Sequence, residues 1–120
     1  MYNVEFYEDK YGKSEVYEYI KYLKNNLNKE NKQKLKKIDM YIDLLSQEGL
    51  KLTEPYIKKI DKEIWELRPL KDRILFASWC NNKFVLLSIF RKQTQKTPKR
   101  EIKKAQNLLE DYKKRSKEDE

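Results

Sequence analysis

The chain has no histidine, and its 120 residues include a single cysteine, Cys80. Those scarcities exclude a zinc centre built from the usual imidazole and thiolate ligands, an internal disulfide, and a Ser–His or Cys–His nucleophile pair. No apolar run approaches the ~20 residues of a membrane span, and the N-terminus lacks a basic-then-apolar leader. The expectation is a cytoplasmic protein without a membrane partner. Cys80 closes an apolar strand and is expected to be a buried bystander.

What the chain has in excess is charge. It carries 28 Lys+Arg against 20 Asp+Glu, a net charge of +8, with a sequence pI of about 9.4. That balance favours a polyanionic partner, whether RNA, DNA or an acidic protein segment. A charged fraction of 40% would suit a disordered chain if the apolar residues were scattered, but they fall in periodic blocks with 12% aromatics. A folded domain with a heavily solvated exterior follows. At this length one modest core is possible and two are not.

The element order can be read from periodicity. Residues 2–7 alternate as a strand. Ser14 is the expected N-cap of a helix carrying Val16, Tyr19, Ile20, Leu23 and Leu27 at three- and four-residue spacing. A second helix presents Leu35, Ile38, Ile42 and Leu45 on one stripe and stops at Gly49. After Pro55 the pattern shifts to strands at 56–60, 63–69, 73–80 and 83–92. The turns between them are Asp61-Lys62, Leu70-Lys71-Asp72 and Asn81-Asn82, the last suited to a tight hairpin. Thr97 as N-cap and Pro98 at the first helical position open a closing helix striped with Ile102, Ala105, Leu108, Leu109 and Tyr112. Trp65 and Trp79 are expected in the core. The fold class is α+β: an N-terminal strand and a helical hairpin packed on an antiparallel sheet, with a C-terminal helix. Residues 1–112 form the single domain, and 113–120 are expected as a frayed, charged tail.

Fixed positive charge gathers where these strands end. Alternation along 64–69 places Glu66 and Arg68 on one face with Ile64, opposite Trp65 and Leu67. The same count along 83–92 places Phe84, Leu86, Ser88, Phe90 and Lys92 together, opposite Val85, Leu87, Ile89 and Arg91. An aromatic ring and an ammonium at one strand exit suit a nucleotide, the ring stacking on a base and the cation meeting a phosphate.

Several segments then resemble one family. They are Trp65-Glu66-Leu67-Arg68, then Asp72-Arg73-Ile74-Leu75-Phe76, then Leu87 to Pro98 with Phe90, Lys92 and Lys96 in it, and Glu101-Ile102 with Ala105 behind. The chain resembles the RelE-like toxins of bacterial toxin–antitoxin pairs, specifically the HigB-type, phage-derived branch. The match is specific over the C-terminal half and agrees in strand-helix-helix order over the N-terminal half.

The resemblance implies a ribosome-dependent mRNA interferase, a metal-independent endoribonuclease with no cofactor that cuts messages on the 70S ribosome and so inhibits translation. It also implies a cognate HigA-type helix-turn-helix antitoxin, with operator DNA reached only through the antitoxin complex. Arg73 matches the family's strand-leading arginine and Arg68 the arginine of its Glu-Leu-Arg strand. Phe90 and Lys92 match the aromatic and basic positions at the last strand's end. Many relatives have a basic residue where Glu66 stands, while Glu66 is common in the HigB-type pattern.

The chemistry of the residues agrees with that implication. Cleavage by the 2′-OH passes through a doubly charged pentacoordinate phosphorus, and arginines suit it because they stay protonated and hold phosphate oxygens in a fixed fork. Arg68 and Arg73 take that role. Without histidine, proton transfer falls to Lys92, Lys96, Glu66 or a group of the RNA or ribosome. Phe90 is the candidate to stack the target base. Lys34, Lys36, Lys37, Lys71 and Arg91 are further cations for RNA or ribosome contact, the first three equally readable as a solvated helix face. Plain structural roles are open to the others too. Arg68 and Glu66 could form an ion pair, Arg73 could cap a strand, and Phe90 could be core. Two other functions also fit: a RelE-fold toxin that binds a protein target without nuclease chemistry, or a basic nucleic-acid-binding module.

Overall fold

Ser14 opens the first helix as expected. Its backbone is extended (φ −121°, ψ 121°), and its hydroxyl accepts from the Tyr17 N–H at 3.1 Å, satisfying a donor that the first helical turn leaves free. The computed structural model describes residues 1–80 and 82–118. Helix α1 (Glu15–Asn25) is followed after three residues by α2 (Lys29–Glu48), which the Asn28 side chain caps by accepting from the Asn31 N–H at 2.8 Å. Gly49 ends α2 at φ 60°, ψ −143°, and its N–H donates to the Leu45 carbonyl. Only glycine serves there, because a Cβ would also sit 2.6 Å from the Tyr2 ring.

Five strands form one sheet: β1 (Asn3–Phe6), β2 (Ile57–Lys59), β3 (Trp65–Leu67), β4 (Asp72–Trp79) and β5 (Lys83–Arg91), in the order β1-β5-β4-β3-β2. The expected antiparallel meander runs from β2 to β5, and β1 adds to β5 in parallel, making the sheet mixed. Both faces are covered. Val16, Ile20, Leu23, Ile38 and Leu45 of the helix hairpin pack on Leu67, Ile74, Phe76, Phe84 and Leu86. Helix α3 (Lys99–Glu118) sets Ala105 and Leu109 on Ile64, Leu75, Ala77, Val85 and Leu87 of the other face. Burial on both sides explains why β4 and β5 read as nearly continuous apolar runs.

One irregularity changes the expected facing of side chains. Leu75 pairs with Ser88 but Phe76 pairs with Leu86, so Leu87 is an extra residue in β5. This bulge reverses the alternation. Phe84 and Leu86 point to the hairpin, as does Ile89, whereas Phe90 packs with Val85 and Leu87 on the α3 side. The expected grouping of Phe90 with Phe84 and Leu86 is therefore wrong.

Other expectations shift as well. Asp72, expected in a turn, begins β4 and is only 3% exposed. Cys80 is exposed at φ 57° rather than buried, because it sits in the turn after β4. Asn81, half of the expected Asn-Asn hairpin, lies outside the described residues. Trp65 and Trp79 are half-buried; Trp79 meets Tyr112 edge-on at 6.2 Å. Residues 113–118 continue α3 instead of fraying, with Lys113 paired to Glu63 and Arg115 to Asp111 at 2.8 Å. Residues 119 and 120 of that expected tail lie outside the described residues.

Candidate active site

Strand register brings the chemistry together on the α3 face. Glu66 lies opposite Leu75, which lies opposite Ser88. One row further on, Arg73 lies opposite Phe90, and Arg68 follows Glu66 by two residues on the same side of β3. The Glu66 carboxylate, 4% exposed, stands between the two arginines. Its Oε1 is 3.4 Å from Arg68 Nε and 3.7 Å from Arg73 Nε. Its Oε2 accepts from the Thr97 hydroxyl at 2.7 Å. Thr97 thus spends its side chain on the sheet instead of capping α3, which begins at Lys99 with the Pro98 carbonyl accepting from Glu101 and Ile102.

The two arginines differ in what they can reach. Arg73 is 6% exposed, and its Nη1 donates to the Leu70 and Asp72 carbonyls at 2.8 and 2.9 Å. Burial draws its pKa below the ordinary arginine value, Arg68 adds to that by like-charge repulsion, and Glu66 opposes both. It remains a cation at neutral pH. Arg68 is more open, with 19% of its side chain exposed and Glu54 4.0 Å from its Nη1. Its Nε is buried and makes no hydrogen bond among the described residues. A buried cluster of two cations and one anion is poor as a stabilising device, since desolvation consumes most of the attraction. Sites where function requires charge carry such clusters.

A cavity of about 180 Å³ opens beside this cluster, lined by Lys58, Lys59, Glu66, Arg68, Lys96 and Thr97. Ile60 and Ile102 give it apolar walls, and Gln95 adds an amide. Four cations and one carboxylate thus line the same space. Among the sequence candidates, Glu66, Arg68 and Lys96 line it, and Arg73 stands behind Glu66. Phe90 is half-buried against the α3-side core. Lys92 leaves the sheet with its N–H donating to the Lys71 carbonyl at 2.7 Å, and it is not among the lining residues. Lys34, Lys71 and Arg91 line a different cavity; Lys36 is exposed and Lys37 half-buried on α2. Sequence reasoning missed Lys58 and Lys59, although Lys58 pairs directly with Glu66 across β2 and β3. The Ile-Lys-Lys strand next to Trp-Glu-Leu was the available signal. Among the described residues, no group of three or more His, Cys, Asp or Glu side chains is placed to hold a metal ion. No described helix is long and apolar enough to cross a membrane.

Residues 25–110 match the family model described as phage-derived protein Gp49-like. The chain belongs to that family. Among solved structures, this Gp49-like chain is similar to one in the YoeB–YefM complex from Staphylococcus aureus. The TM-score is 0.55 at 17% identity, covering 78% of this chain and 99% of that one. Identity that low speaks for the fold alone. No curated protein sequence matches significantly. Family and fold agree with the resemblance read from the sequence: the Gp49-like chain has a RelE-like fold, α+β with helices on both faces of its sheet.

Proposed function

We propose that the chain is the toxin of a type II toxin–antitoxin pair and acts as a ribosome-dependent mRNA interferase. The observation that carries this reading is the Glu66 carboxylate, buried between Arg68 and Arg73 and opening onto a cavity rimmed by Lys58, Lys59 and Lys96. In-line cleavage needs a base at the 2′-OH, cations on the phosphate and an acid at the departing 5′-oxygen.

Glu66 is the group within the cavity able to take the 2′-OH proton as the oxygen attacks phosphorus. Arg68 meets the non-bridging oxygens, where negative charge builds up, and Arg73 holds Glu66 in place. Lys96 is the candidate to protonate the 5′-oxygen as its bond to phosphorus breaks, leaving a 2′,3′-cyclic phosphate and a 5′-hydroxyl. All of these steps use side chains of the protein without a cofactor. Lys92 and Phe90 act, on this reading, at the rim, where a base leaving the cavity meets the ring and the ammonium. The partners that go with the reading are a HigA-type helix-turn-helix antitoxin, through which alone operator DNA is reached, and mRNA on the 70S ribosome in the cytoplasm.

Primer extension on a reporter message in a reconstituted translation system tests this. Wild-type protein is expected to cut in frame and only with ribosomes present, and Glu66→Gln and Arg68→Ala are each expected to slow cutting about 10²–10³-fold. Translation arrest without any cut would transfer the reading to a toxin that binds a protein target. Salt-sensitive RNA binding with neither arrest nor cutting would leave a nucleic-acid-binding module.

A further inference from the structure

The bulge that turns Phe90 toward α3 leaves the neighbouring register pair, Asp72 opposite Arg91, at the other cavity. That space, of about 260 Å³, is lined by Glu30, Lys34, Leu70, Lys71, Asp72 and Arg91, with Gln33 beside them. It is smaller than the ~300–1,000 Å³ of sites for drug-sized ligands and suited to one base. We propose that this cavity binds a single guanine nucleotide of the RNA, its base edge on Asp72 and its phosphate on Arg91, Lys34 and Lys71. The proposal rests on the RNA-binding part of the reading above.

Asp72 supplies the specificity. Both of its carboxylate oxygens accept from the Tyr19 hydroxyl at 3.2 Å. One hydroxyl proton shared between two oxygens leaves lone pairs on each. Burial raises the Asp72 pKa, against the Tyr19 hydrogen bond and the nearby Lys34 and Arg91 cations. A fixed, under-donated carboxylate favours an edge that presents two adjacent N–H groups. Guanine has such an edge, with N1–H beside the N2 amino group. Adenine and cytosine place an acceptor next to their amino group, and uracil flanks one N–H with two carbonyls, so each brings an oxygen or nitrogen lone pair toward the carboxylate.

The walls and the mouth fit the rest of a nucleotide. Leu70 lines the cavity, is 48% exposed, and is held at φ 56°, a conformation side-chain-bearing residues rarely adopt. Such a conformation is strained and persists where its surroundings fix it; here the Arg73 guanidinium donates to the Leu70 carbonyl. The outcome is an apolar wall for the face of a base. At the mouth, Glu30 Oε1 lies 3.3 Å from Lys34 Nζ and 3.9 Å from Arg91 Nη2, with the Glu30 side chain 67% exposed. Pairs this exposed are weak, so a phosphate can displace Glu30 from both cations. Arg73 and Phe90 face the Glu66 side while Asp72 and Arg91 face this one. A strand of RNA crossing the ends of β4 and β5 would therefore place neighbouring nucleotides on the two faces.

Amide NMR of the full chain, titrated with guanosine, adenosine, cytidine and uridine 5′-monophosphates and with inorganic phosphate, tests the assignment. Guanosine monophosphate is expected to shift the amides of Leu70, Lys71, Asp72 and Arg91 and to bind about tenfold more tightly than the other three. Asp72→Asn, which keeps an acceptor for Tyr19, is expected to remove that preference. Arg91→Ala, a surface change, is expected to weaken all four nucleotides alike. Equal binding of the four nucleotides and phosphate would overturn the proposal. So would a stronger response of the same amides to an Asp/Glu-rich peptide, which would give the cavity to a protein partner. No message is cut in this experiment, so a failed cleavage assay leaves its result standing, and its failure leaves the Glu66 site untouched.

Discussion

At the scale of single residues, the two arginines read alike in the sequence and separate in the structure. Arg73 has one nitrogen committed to two backbone carbonyls and another facing Glu66, whereas Arg68 lines the cavity and meets Glu66 through its Nε in an ion pair without a hydrogen bond. Arg73→Ala is therefore expected to cost ~3 kcal/mol in urea unfolding, because it strands Leu70, Asp72 and part of Glu66. Arg68→Ala, at a partly open position, is expected to change stability by less than ~1 kcal/mol while slowing cleavage about as much as loss of Glu66. If the two variants lose stability equally, the division of labour between contact and positioning is wrong. The pair of cations was legible because Glu-Leu-Arg and Asp-Arg stand at strand ends. Which one faces the cavity was not, since it depends on the Leu70 turn, and no local pattern announces a leucine at positive φ. Cys80 was misread for the same reason: an apolar strand predicts burial, but the turn puts its last residue at φ 57° in solvent.

At the scale of elements, the sequence gives strands, helices and caps by periodicity, and fails where the period breaks. The count of two along β5 holds to Leu87 and is reversed beyond it. Glu15 at the start of α1 explains how the bulge is held. Its Oε1 accepts from the Ile89 N–H at 3.0 Å, and its Oε2 lies 2.5 Å from the Lys104 ammonium on α3. Beyond the end of β1, this N–H has no neighbouring strand to bond with among the described residues, and the carboxylate takes that place. One side chain thus ties α1, β5 and α3 just before Phe90. Glu15→Ala is expected to cost ~1–2 kcal/mol and to speed hydrogen exchange at the Ile89 amide. Glu15→Gln keeps an acceptor and is expected to restore that protection although the pairing with Lys104 is lost. Equal exchange in both variants would mean that the carboxylate does not hold the bulge. The contact is 74 residues apart in sequence, beyond any local rule.

At the scale of the whole molecule, the net charge of +8 is arranged rather than spread. Cations line both cavities at the strand ends, while the far end of α3 is fastened to the rest of the chain by tyrosine–carboxylate contacts. The Tyr7 hydroxyl donates to Asp111 at 2.7 Å, and the Tyr112 hydroxyl to Glu5. On the hairpin side Tyr19 donates to Asp72. Burial first, and then these carboxylates, push the Tyr7 phenol up to about 12; the same causes hold Tyr19 at about 12 and raise Tyr112. The sign of the consequence is fixed by linkage. An unfolded chain loses these phenolic protons near the ordinary tyrosine value of ~10, and the folded chain keeps them to higher pH. Between those values the folded state binds more protons, so stability falls as pH rises. The Tyr7 and Tyr19 contributions are intact below about pH 10 and are lost as pH rises through about 12; that of Tyr112 persists to higher pH. Thermal melts across that window are expected to show a steep drop in Tm for the wild type. In Tyr7→Phe the drop should be shallower from a lower starting Tm, because the contact with Asp111 is already gone. A parallel fall in both proteins would place the alkaline sensitivity elsewhere than in the Tyr7–Asp111 contact.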